Sequence, residues 1–195
     1  GESIETVRKD LAEVSPTIFL GVPRIWEKMH AQVLLKMKDS SPLKRYLFNF
    51  ALSTGIKRVK AARNEKKLTW FQSFNKLIAD LLIYRPLQEH LGLRNCQIAV
   101  SGAAPVSPQL IDWFEALDVT ILEGFGQTEC VGVCHLNSLE ERKVGSVGTK
   151  LECMDSQISE DGEILVRGPN VFVGYLHDKV ATAATINEEG WLHTG

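Results

Sequence analysis

The chain has 195 residues, of which 44% are hydrophobic and 24% are charged, and its net charge is −2. This length and composition predict a soluble, globular protein with room for one large domain or two small ones. No apolar run approaches the roughly 20 residues that span a bilayer, and the charged N-terminal residues are not typical of a signal sequence. We predict no nucleic-acid partner, and the composition leaves the oligomeric state open.

The four cysteines, Cys96, Cys130, Cys134 and Cys153, are too few to form a disulfide scaffold in a chain of this length. We therefore expect reduced thiols and a cytoplasmic location. Cys130, Cys134 and His135 lie close together in sequence, which raises the possibility of a metal site. Zinc usually needs a second well-spaced pair of ligands, and Cys96 and Cys153 do not supply one. We interpret these thiols as neighbours of a ligand pocket.

The first half of the chain has a helical pattern. The apolar run over residues 17–21 predicts a buried strand, and Pro23 suits the first turn of a helix that runs to about Lys38. Ser40 or Ser41 can cap a second, long amphipathic helix. Its two neighbouring apolar stripes contain Leu43, Leu47 and Phe50 on one and Phe48, Leu52, Ile56 and Val59 on the other.

Residues 71–91 repeat the helical period until Gly92. The predicted apolar face of this third helix consists of Phe74, Leu77, Ile78, Leu81 and Leu82.

The second half changes to a pattern of strand, helix and strand. Residues 96–100 and 119–122 predict buried strands, and Ser107 caps the predicted helix over 108–117. Parallel strands in such a unit bring their carboxyl ends to one edge of the sheet, where open α/β sheets bind ligands. Further strands are predicted over residues 148–158, 162–167 and 191–193. We predict an α/β fold, with a parallel-sheet βαβ core and flanking helices over 1–144 and a smaller β-rich subdomain over 145–195.

The segment from Glu123 to Glu129 combines flexible backbone, an aromatic ring, a hydroxyl and a carboxylate. Gly124 and Gly126 allow the backbone to approach a ligand closely, and the ring of Phe125 can cover a planar base. The hydroxyl of Thr128 can donate to a phosphate oxygen, and the carboxylate of Glu129 suits Mg²⁺. These residue types predict a nucleotide site.

A second motif, from Ser101 to Pro105, follows the first strand of the βαβ unit. Its small and rigid residues would let a flat ligand such as adenine lie against bare backbone. The alternative is an ordinary tight connection between a strand and a helix. Because the segment from Glu123 to Glu129 follows one crossover later, we favour the ligand site.

These motifs occur in register with two others. The four segments are residues 16–29 (Pro16 to Met29, with Val22-Pro23-Arg24), residues 101–105, residues 123–129, and residues 162–169 with continuations at 174–176 and 190–195. Together they resemble the adenylate-forming, acyl-activating enzymes, and within them the long-chain fatty acyl-CoA synthetases. The resemblance covers the whole chain.

The resemblance implies a role for each motif residue. Gly102, Ala103, Ala104 and Pro105 would line the adenine, while Glu123, Gly124 and Gly126 would border the nucleotide and Phe125 would stand where the family usually has a stacking Tyr. As the catalytic pair, Thr128 would contact the phosphate and Glu129 would hold Mg²⁺. Residues 162–174 are interpreted as strands and turns without a ligand.

The reaction implied by the resemblance uses ATP, Mg²⁺ and coenzyme A to activate a long-chain fatty acid. The resemblance also implies a phosphate loop before residue 1, a ribose-binding Asp after Gly195 and a catalytic lysine in a carboxy-terminal domain. Because these parts are expected outside both ends of the sequence, we expect the chain alone to lack ligase activity. The alternative is a non-catalytic interaction or scaffold module that retains the fold.

Residues 36–67 are strongly basic. The basic residues are Lys36, Lys38, Lys44, Arg45, Lys57, Arg58, Lys60, Arg63, Lys66 and Lys67, against the acidic Asp39 and Glu65. A basic amphipathic helix can lie on an anionic membrane surface, which would suit an enzyme with a lipid-soluble substrate. The alternative is a solvated helix whose apolar stripe faces the core.

Overall fold

The computed structural model describes residues 6–64 and 70–195, in which helices precede most of the strands. The helices are α1 (Val7–Val14), α2 (Pro23–Lys38), α3 (Pro42–Arg63), α4 (Trp70–Ala79), a π-helical turn (Asp80–Tyr84), α5 (Arg85–Leu91), α6 (Pro108–Ala116), a 3₁₀ turn (Thr128–Cys130) and α7 (Lys179–Thr185). The strands are β1 (Ile18–Gly21), β2 (Ile98–Ser101), β3 (Ile121–Phe125), β4 (His135–Leu136), β5 (Thr149–Lys150), β6 (Asp155–Ile158), β7 (Ile164–Arg167) and β8 (Leu192–His193). Among the helices of these residues, none has the length and apolar character that crossing a membrane requires.

The chain forms two compact units. The first contains residues up to 101 together with 105–121, and the second contains residues 102–104 and 122–195. The sequence prediction instead divides the chain at residues 144/145. The difference arises because β4 pairs with β3 on one side and with β5 on the other, so residues on both sides of 144/145 belong to one sheet.

In the first unit, β1 and β2 pair in parallel, with Ile18 opposite Ile98 and Gly21 opposite Ser101. The predicted strand and the helix that follows it are confirmed, since α2 begins at Pro23 and ends at Lys38. The strand is not buried as predicted, because the side chains of Ile18 and Leu20 are 64% and 65% exposed. The fully buried indole of Trp26 donates a hydrogen bond to the Gly21 carbonyl at 3.2 Å and contacts the Phe114 ring edge-on. This cluster holds α2 against β1 and α6.

The long helix α3 packs closely on α6. Ser41 is the predicted N-cap, and its hydroxyl accepts from the Lys44 amide. Gly55 permits the contact because a Cβ there would lie 2.9 Å from the Cβ and the carbonyl oxygen of Ala116. Of the two predicted apolar stripes, the one with buried Phe48 and Val59 faces the core. The stripe of Leu43, Leu47 and Phe50 is exposed instead, with exposed fractions of 41% to 68%.

The predicted helix over 71–91 is interrupted by the π-helical turn. Leu77, Ile78, Leu81 and Leu82, which belong to the predicted apolar face, are 44% to 63% exposed, whereas Tyr84 and Leu91 are buried. A π-helical turn adds a residue to the helical repeat, so the face that α4 presents before the turn does not continue in register into α5. The side chain of Phe74 lies outside the described residues, as do Glu65, Lys66 and Lys67.

The second unit contains two antiparallel arrangements, β3-β4-β5 and β6-β7-β8. Its core consists of the buried residues Cys130, Cys134, Met154, Val166 and Leu192. The strand predicted over residues 148–158 is two short strands, because residues 151–154 leave the extended conformation between β5 and β6. The sequence reading missed α1, β4 and α7. The observed architecture nevertheless confirms the predicted α/β class.

The strand that precedes the candidate site extends further toward its carboxyl end than predicted. Residues 119–122 were expected to form it, but β3 runs from Ile121 to Phe125. Glu123, Gly124 and Phe125 are therefore part of the strand and do not follow it. Helix α6 has the predicted cap, since the Ser107 hydroxyl accepts from the Leu110 amide at 3.2 Å.

Candidate nucleotide-binding site

The segment that follows β2 is open and conformationally unusual. Ala103 and Ala104 are exposed, and Ala103 has a φ of 72°, a left-handed conformation that non-glycine residues rarely adopt. A Cβ on Gly102 would lie 3.5 Å from the carbonyl oxygen of Gly124, which is an ordinary contact distance. This segment therefore lies beside β3, and packing alone does not require a glycine at position 102. Pro105 is also exposed.

Glu123 is buried, with 9% of its surface exposed, and its carboxylate accepts a hydrogen bond from the backbone of the chain. Its Oε2 accepts from the Gly145 amide at 2.8 Å, and its carbonyl accepts from the Asn137 amide at 3.0 Å. Asn137 in turn donates to the Ser146 carbonyl. Glu123 thus fixes the loop over residues 143–146 to β3, a structural role that the sequence reading did not assign.

Phe125 is half-buried at the end of β3 and packs against the core of the second unit. Its ring centroid lies 6.2 Å from that of His135. Its carbonyl accepts from both the amide and the thiol of Cys134, at 2.9 Å and 3.3 Å. One part of the Phe125 ring therefore packs in the core. Only the exposed part of the ring is accessible for the predicted contact with adenine.

Gly126 and Gln127 form a tight loop before the 3₁₀ turn. A Cβ on Gly126 would lie 1.7 Å from the carbonyl oxygen of Gly132, so two backbone segments meet where only a glycine fits. The Gln127 carbonyl accepts from the amides of Cys130 and Gly132, at 3.1 Å and 3.0 Å. Packing within the loop explains the glycine at position 126 without a ligand.

Thr128 and Glu129 lie together on the 3₁₀ turn. Thr128 is exposed, and its hydroxyl makes no hydrogen bond within the described parts of the chain. Glu129 is half-buried, and its Oε1 accepts from the hydroxyl of Tyr175 at 2.8 Å. This hydrogen bond is the main cause that raises the pKa of Tyr175, because a tyrosinate beside a carboxylate is disfavoured. The turn thus presents one hydroxyl and one carboxylate side by side.

Three further residues hold this turn in place, and the sequence analysis did not predict them as part of the site. Asn170 donates to the Cys130 carbonyl at 3.1 Å, and the Phe172 amide donates to the Glu129 carbonyl at 2.8 Å. The rings of Phe172 and Tyr175 meet edge-on with centroids 4.9 Å apart. Asn170 and Phe172 fall in residues 162–174, which the sequence analysis interprets as strands and turns without a ligand, and Tyr175 directly follows them.

Cys130 and Cys134 are fully buried in the core of the second unit, so their thiols are not exposed to solvent. Burial, reinforced by the neighbouring Cys130, raises the pKa of the Cys134 thiol to about 12. Burial also lowers the pKa of His135, whose ring is within hydrogen-bond distance of the Ser156 hydroxyl at 2.9 Å. Across residues 6–64 and 70–195, no group of three His, Cys, Asp or Glu side chains could hold a metal ion.

The chain is similar in sequence to proteins named as long-chain-fatty-acid–CoA ligases. It is 36% identical to the long-chain-fatty-acid–CoA ligase ACSBG2 of Rattus norvegicus, over 95% of this chain and 28% of that protein. It is 35% identical to long-chain-fatty-acid–CoA ligase 1 of Homo sapiens, over 98% of this chain and 28% of the relative. The chain thus spans less than a third of the length of these relatives.

Solved structures share the fold. The o-succinylbenzoate CoA synthetase of Bacillus subtilis, in complex with the acyl-adenylate intermediate OSB-AMP, matches 99% of this chain and 30% of its own. The TM-score is 0.60 and the sequence identity is 19%. At that identity the likeness shows the fold alone.

The family itself is settled by a match along most of the sequence. The family model described as AMP-binding enzyme matches residues 2–176, a range that includes both nucleotide motifs, Tyr175 and the turn that Tyr175 contacts. The chain therefore belongs to the AMP-binding enzyme family.

Proposed function

We propose that this chain forms the adenine- and phosphate-binding part of a long-chain fatty acid–CoA ligase. One observation carries the proposal. Within a single compact unit, the segment Gly102–Ala104, with Ala103 and Ala104 exposed, lies beside β3, and the end of β3 is followed by the turn that bears Thr128 and Glu129. The names of the relatives supply the substrate class, a long-chain fatty acid.

In this proposal, adenine lies against Ala103 and Ala104 and the exposed part of the Phe125 ring. The hydroxyl of Thr128 donates to a phosphate oxygen, which its lack of another partner among the described residues permits. Glu129 forms no salt bridge with the described residues, and a single carboxylate together with substrate phosphates is a usual set of ligands for Mg²⁺. Bound Mg²⁺ would supply neutralisation of the phosphate charge.

The proposed reaction has two steps. A fatty carboxylate oxygen attacks the α-phosphorus of ATP, and the bond to the bridging oxygen breaks, which releases pyrophosphate and leaves an acyl-adenylate. The thiolate of coenzyme A then attacks the acyl carbon, and AMP leaves with the bonding electron pair. In the first step, Thr128 and the adenine-binding segment contribute chiefly by positioning the nucleotide.

We further propose that the 195-residue chain alone does not complete this reaction. The chain matches 28% of the length of each of these relatives, and the phosphate loop and catalytic lysine implied by the resemblance are not among its residues. An ATP–pyrophosphate exchange assay with palmitate tests this, and we expect no exchange above background. Exchange by the chain alone would contradict the proposal.

Binding of a non-hydrolysable palmitoyl-adenylate analogue, measured by calorimetry, tests the site itself. The variant Ala104→Trp places a large ring on the exposed adenine-binding segment, and we expect it to weaken binding at least about tenfold, a loss of roughly 1.4 kcal/mol. Ala184→Trp is the matched control, since Ala184 is an exposed alanine in α7 of the same unit. Equal binding by both variants would contradict the assigned site. No binding by the unmodified chain would favour a non-catalytic interaction module.

We also propose a cytoplasmic protein whose basic segment 36–67 makes peripheral contact with an anionic membrane. Support comes from the exposed stripe of Leu43, Leu47 and Phe50, which adjoins Lys44 and Arg45 on α3. Toward the end of α3 the basic side chains pair with acidic residues of the same unit, as in the 2.7 Å bond from Arg58 to Asp118. Co-sedimentation with liposomes at low salt, with and without anionic lipid, tests the contact, and absence of binding would remove it.

A further inference from the structure

A cavity of about 230 Å³ lies in the first unit. Helices α2, α3 and α5 and the π-helical turn enclose it, and none of the nucleotide-site residues lines it. Its apolar lining includes Val33 and Met37 of α2, Phe48 of α3, and Leu82 and Leu87. Val33 and Phe48 are buried, at 3% and 2% exposure, whereas Leu82 is 59% exposed. The cavity therefore has an apolar interior that opens to solvent.

The ionisable side chains that line this cavity all belong to basic residue types. Lys36 and Lys44 contribute ammonium groups, and His90 contributes an imidazole. The Lys36 ammonium lies 3.4 Å from the Nε2 atom of His90, which brings two of the three groups together. Among the described residues that line the cavity, none is Asp or Glu. An apolar interior beside basic groups is complementary to a molecule with an apolar tail and an anionic head.

We infer that this cavity binds the acyl chain of an anionic amphiphile, with its carboxylate or phosphate head group held by Lys36 and Lys44. Burial of the chain against Val33, Phe48 and Leu87 removes apolar surface from water, while the lysines attract the head group at the mouth. Ligand pockets usually measure about 300 to 1,000 Å³, so this smaller cavity takes part of a chain. The inference stands on the first unit alone and is independent of the proposed ligase reaction.

Calorimetric titration with decanoate, decyl phosphate and decanol, each below its micelle concentration, tests the inference on the 195-residue chain. We expect saturable binding of both anions. In the double variant K36Q/K44Q their affinity should fall about two- to thirtyfold, the range expected for the loss of two exposed ion pairs. Decanol, which has no charge, should bind equally to both proteins.

The matched control is K38Q/K57Q, which removes the same charge from exposed positions on the same two helices but leaves the cavity lining unchanged. We expect it to bind decanoate like the unmodified chain. Equal loss in K36Q/K44Q and K38Q/K57Q would show a general charge effect and overturn the inference. Absence of saturable decanoate binding would overturn it as well.

A third variant, Leu87→Trp, fills the cavity and should weaken the binding of all three compounds, decanol included. Vesicles of phosphatidylcholine with and without phosphatidylserine distinguish a membrane source from a free amphiphile. If decanoate binds and vesicles do not, the ligand is a free amphiphile. If vesicles bind through Lys36 and Lys44 while decanoate does not, the basic groups serve a membrane surface and the cavity is not a binding site.

Discussion

At Glu129, a tyrosine hydroxyl occupies one oxygen of the carboxylate that is proposed to hold Mg²⁺. The Tyr175 hydroxyl donates to Oε1 at 2.8 Å, and the same turn is fixed through the Glu129 carbonyl by Phe172. A hydrogen bond from a neutral hydroxyl orients a carboxylate without cancelling its charge. Tyr175 is therefore positioned to orient Glu129, and a metal ion can still use the negative charge.

This contact makes the pKa of Tyr175 a measure of the Glu129 charge. We expect Glu129→Gln to lower the pKa of Tyr175 toward its ordinary value of 10.0, because the hydrogen bond to the carboxylate is the main cause of the upward shift. An ultraviolet absorbance titration of the three tyrosines measures the change. The variant Tyr175→Phe identifies which part of the curve belongs to Tyr175. Identical curves for the unmodified chain and Glu129→Gln would contradict the contact.

Tyr84 gives a second prediction, on stability at alkaline pH. Its hydroxyl donates to the Ala51 carbonyl at 2.8 Å, and burial raises its pKa above 10.0. The folded state then holds the proton more tightly than the unfolded state, so this contribution is present below pH 10 and is lost as the pH rises through the folded-state pKa. Tyr84→Phe should cost about 1 kcal/mol at neutral pH through the lost hydrogen bond.

Urea unfolding at a series of pH values checks this prediction. Above pH 10 the free energy of unfolding should fall more steeply for the unmodified chain than for Tyr84→Phe. Tyr46 is the control, because it is 66% exposed and Tyr46→Phe should leave the pH dependence unchanged. Parallel curves for the unmodified chain and Tyr84→Phe would refute the assignment.

At the scale of the elements, two glycines from the predicted nucleotide motifs have different physical reasons. At Gly126 a Cβ would overlap the Gly132 carbonyl oxygen, whereas at Gly102 a Cβ would lie at an ordinary 3.5 Å from Gly124. Gly126→Ala should therefore destabilise the second unit by about 1–3 kcal/mol, the usual cost of overpacking. Gly102→Ala should change the stability by less than about 0.5 kcal/mol.

Chemical denaturation measures both variants, with Gly102→Ala as the matched control. The comparison separates a glycine that the fold requires from one whose bare backbone is free to face a ligand. A large loss of stability in Gly102→Ala, equal to that in Gly126→Ala, would show that both glycines are structural. In that case the ligand-based explanation of residues 102–104 would lose its main support.

Local signals predicted the elements well where they act within a few residues. Pro23 and the caps Ser41 and Ser107 fixed the starts of α2, α3 and α6, because capping is a contact between near neighbours. The π-helical turn at Asp80–Tyr84 was not predictable, since the helical period of the sequence continues through it. The short strand β4 was also missed, because two residues carry no readable alternation.

The candidate site was predictable to the extent that its chemistry is local. The sequence identified Thr128 and Glu129 as a hydroxyl and a carboxylate on one segment, and the structure presents them on one turn. The partner of Glu129, Tyr175, lies 46 positions away, and the pairing depends on how the chain folds back after β7. No local sequence pattern predicts a contact between residues so far apart in the chain. The same reason explains why the bracing role of Glu123 toward Gly145 was missed.

At the scale of the whole molecule, the two compact units have separate cores. The first is built around Trp26, Tyr84 and Phe114, and the second around the cluster that includes Cys130 and Cys134. The division agrees with the pairing of the strands, since β4 pairs with both β3 and β5 and keeps residues on both sides of position 145 in one unit. Each core therefore needs its own probe of folding.

The cysteines provide that probe for the second unit. Reaction with a disulfide reagent requires the thiolate, and with a pKa of about 12 the buried Cys134 has almost none at pH 8. Cys153, in the same unit, is exposed. We expect Cys153 to react at once in the folded chain, and Cys130 and Cys134 to react only as the second unit unfolds. Since they share one cluster, both should become reactive at the same urea concentration.

Labelling at increasing urea, with each site quantified by mass spectrometry, measures these reactions. Cys153→Ser is the control and should leave the transition of Cys130 and Cys134 unchanged, because an exposed side chain contributes little to the core. Reaction of Cys134 in the folded chain as fast as that of Cys153 would contradict its burial. Different urea midpoints for Cys130 and Cys134 would show that the cluster does not unfold as one unit, and the turn bearing Thr128 and Glu129 would then lack the rigid support that a nucleotide site requires.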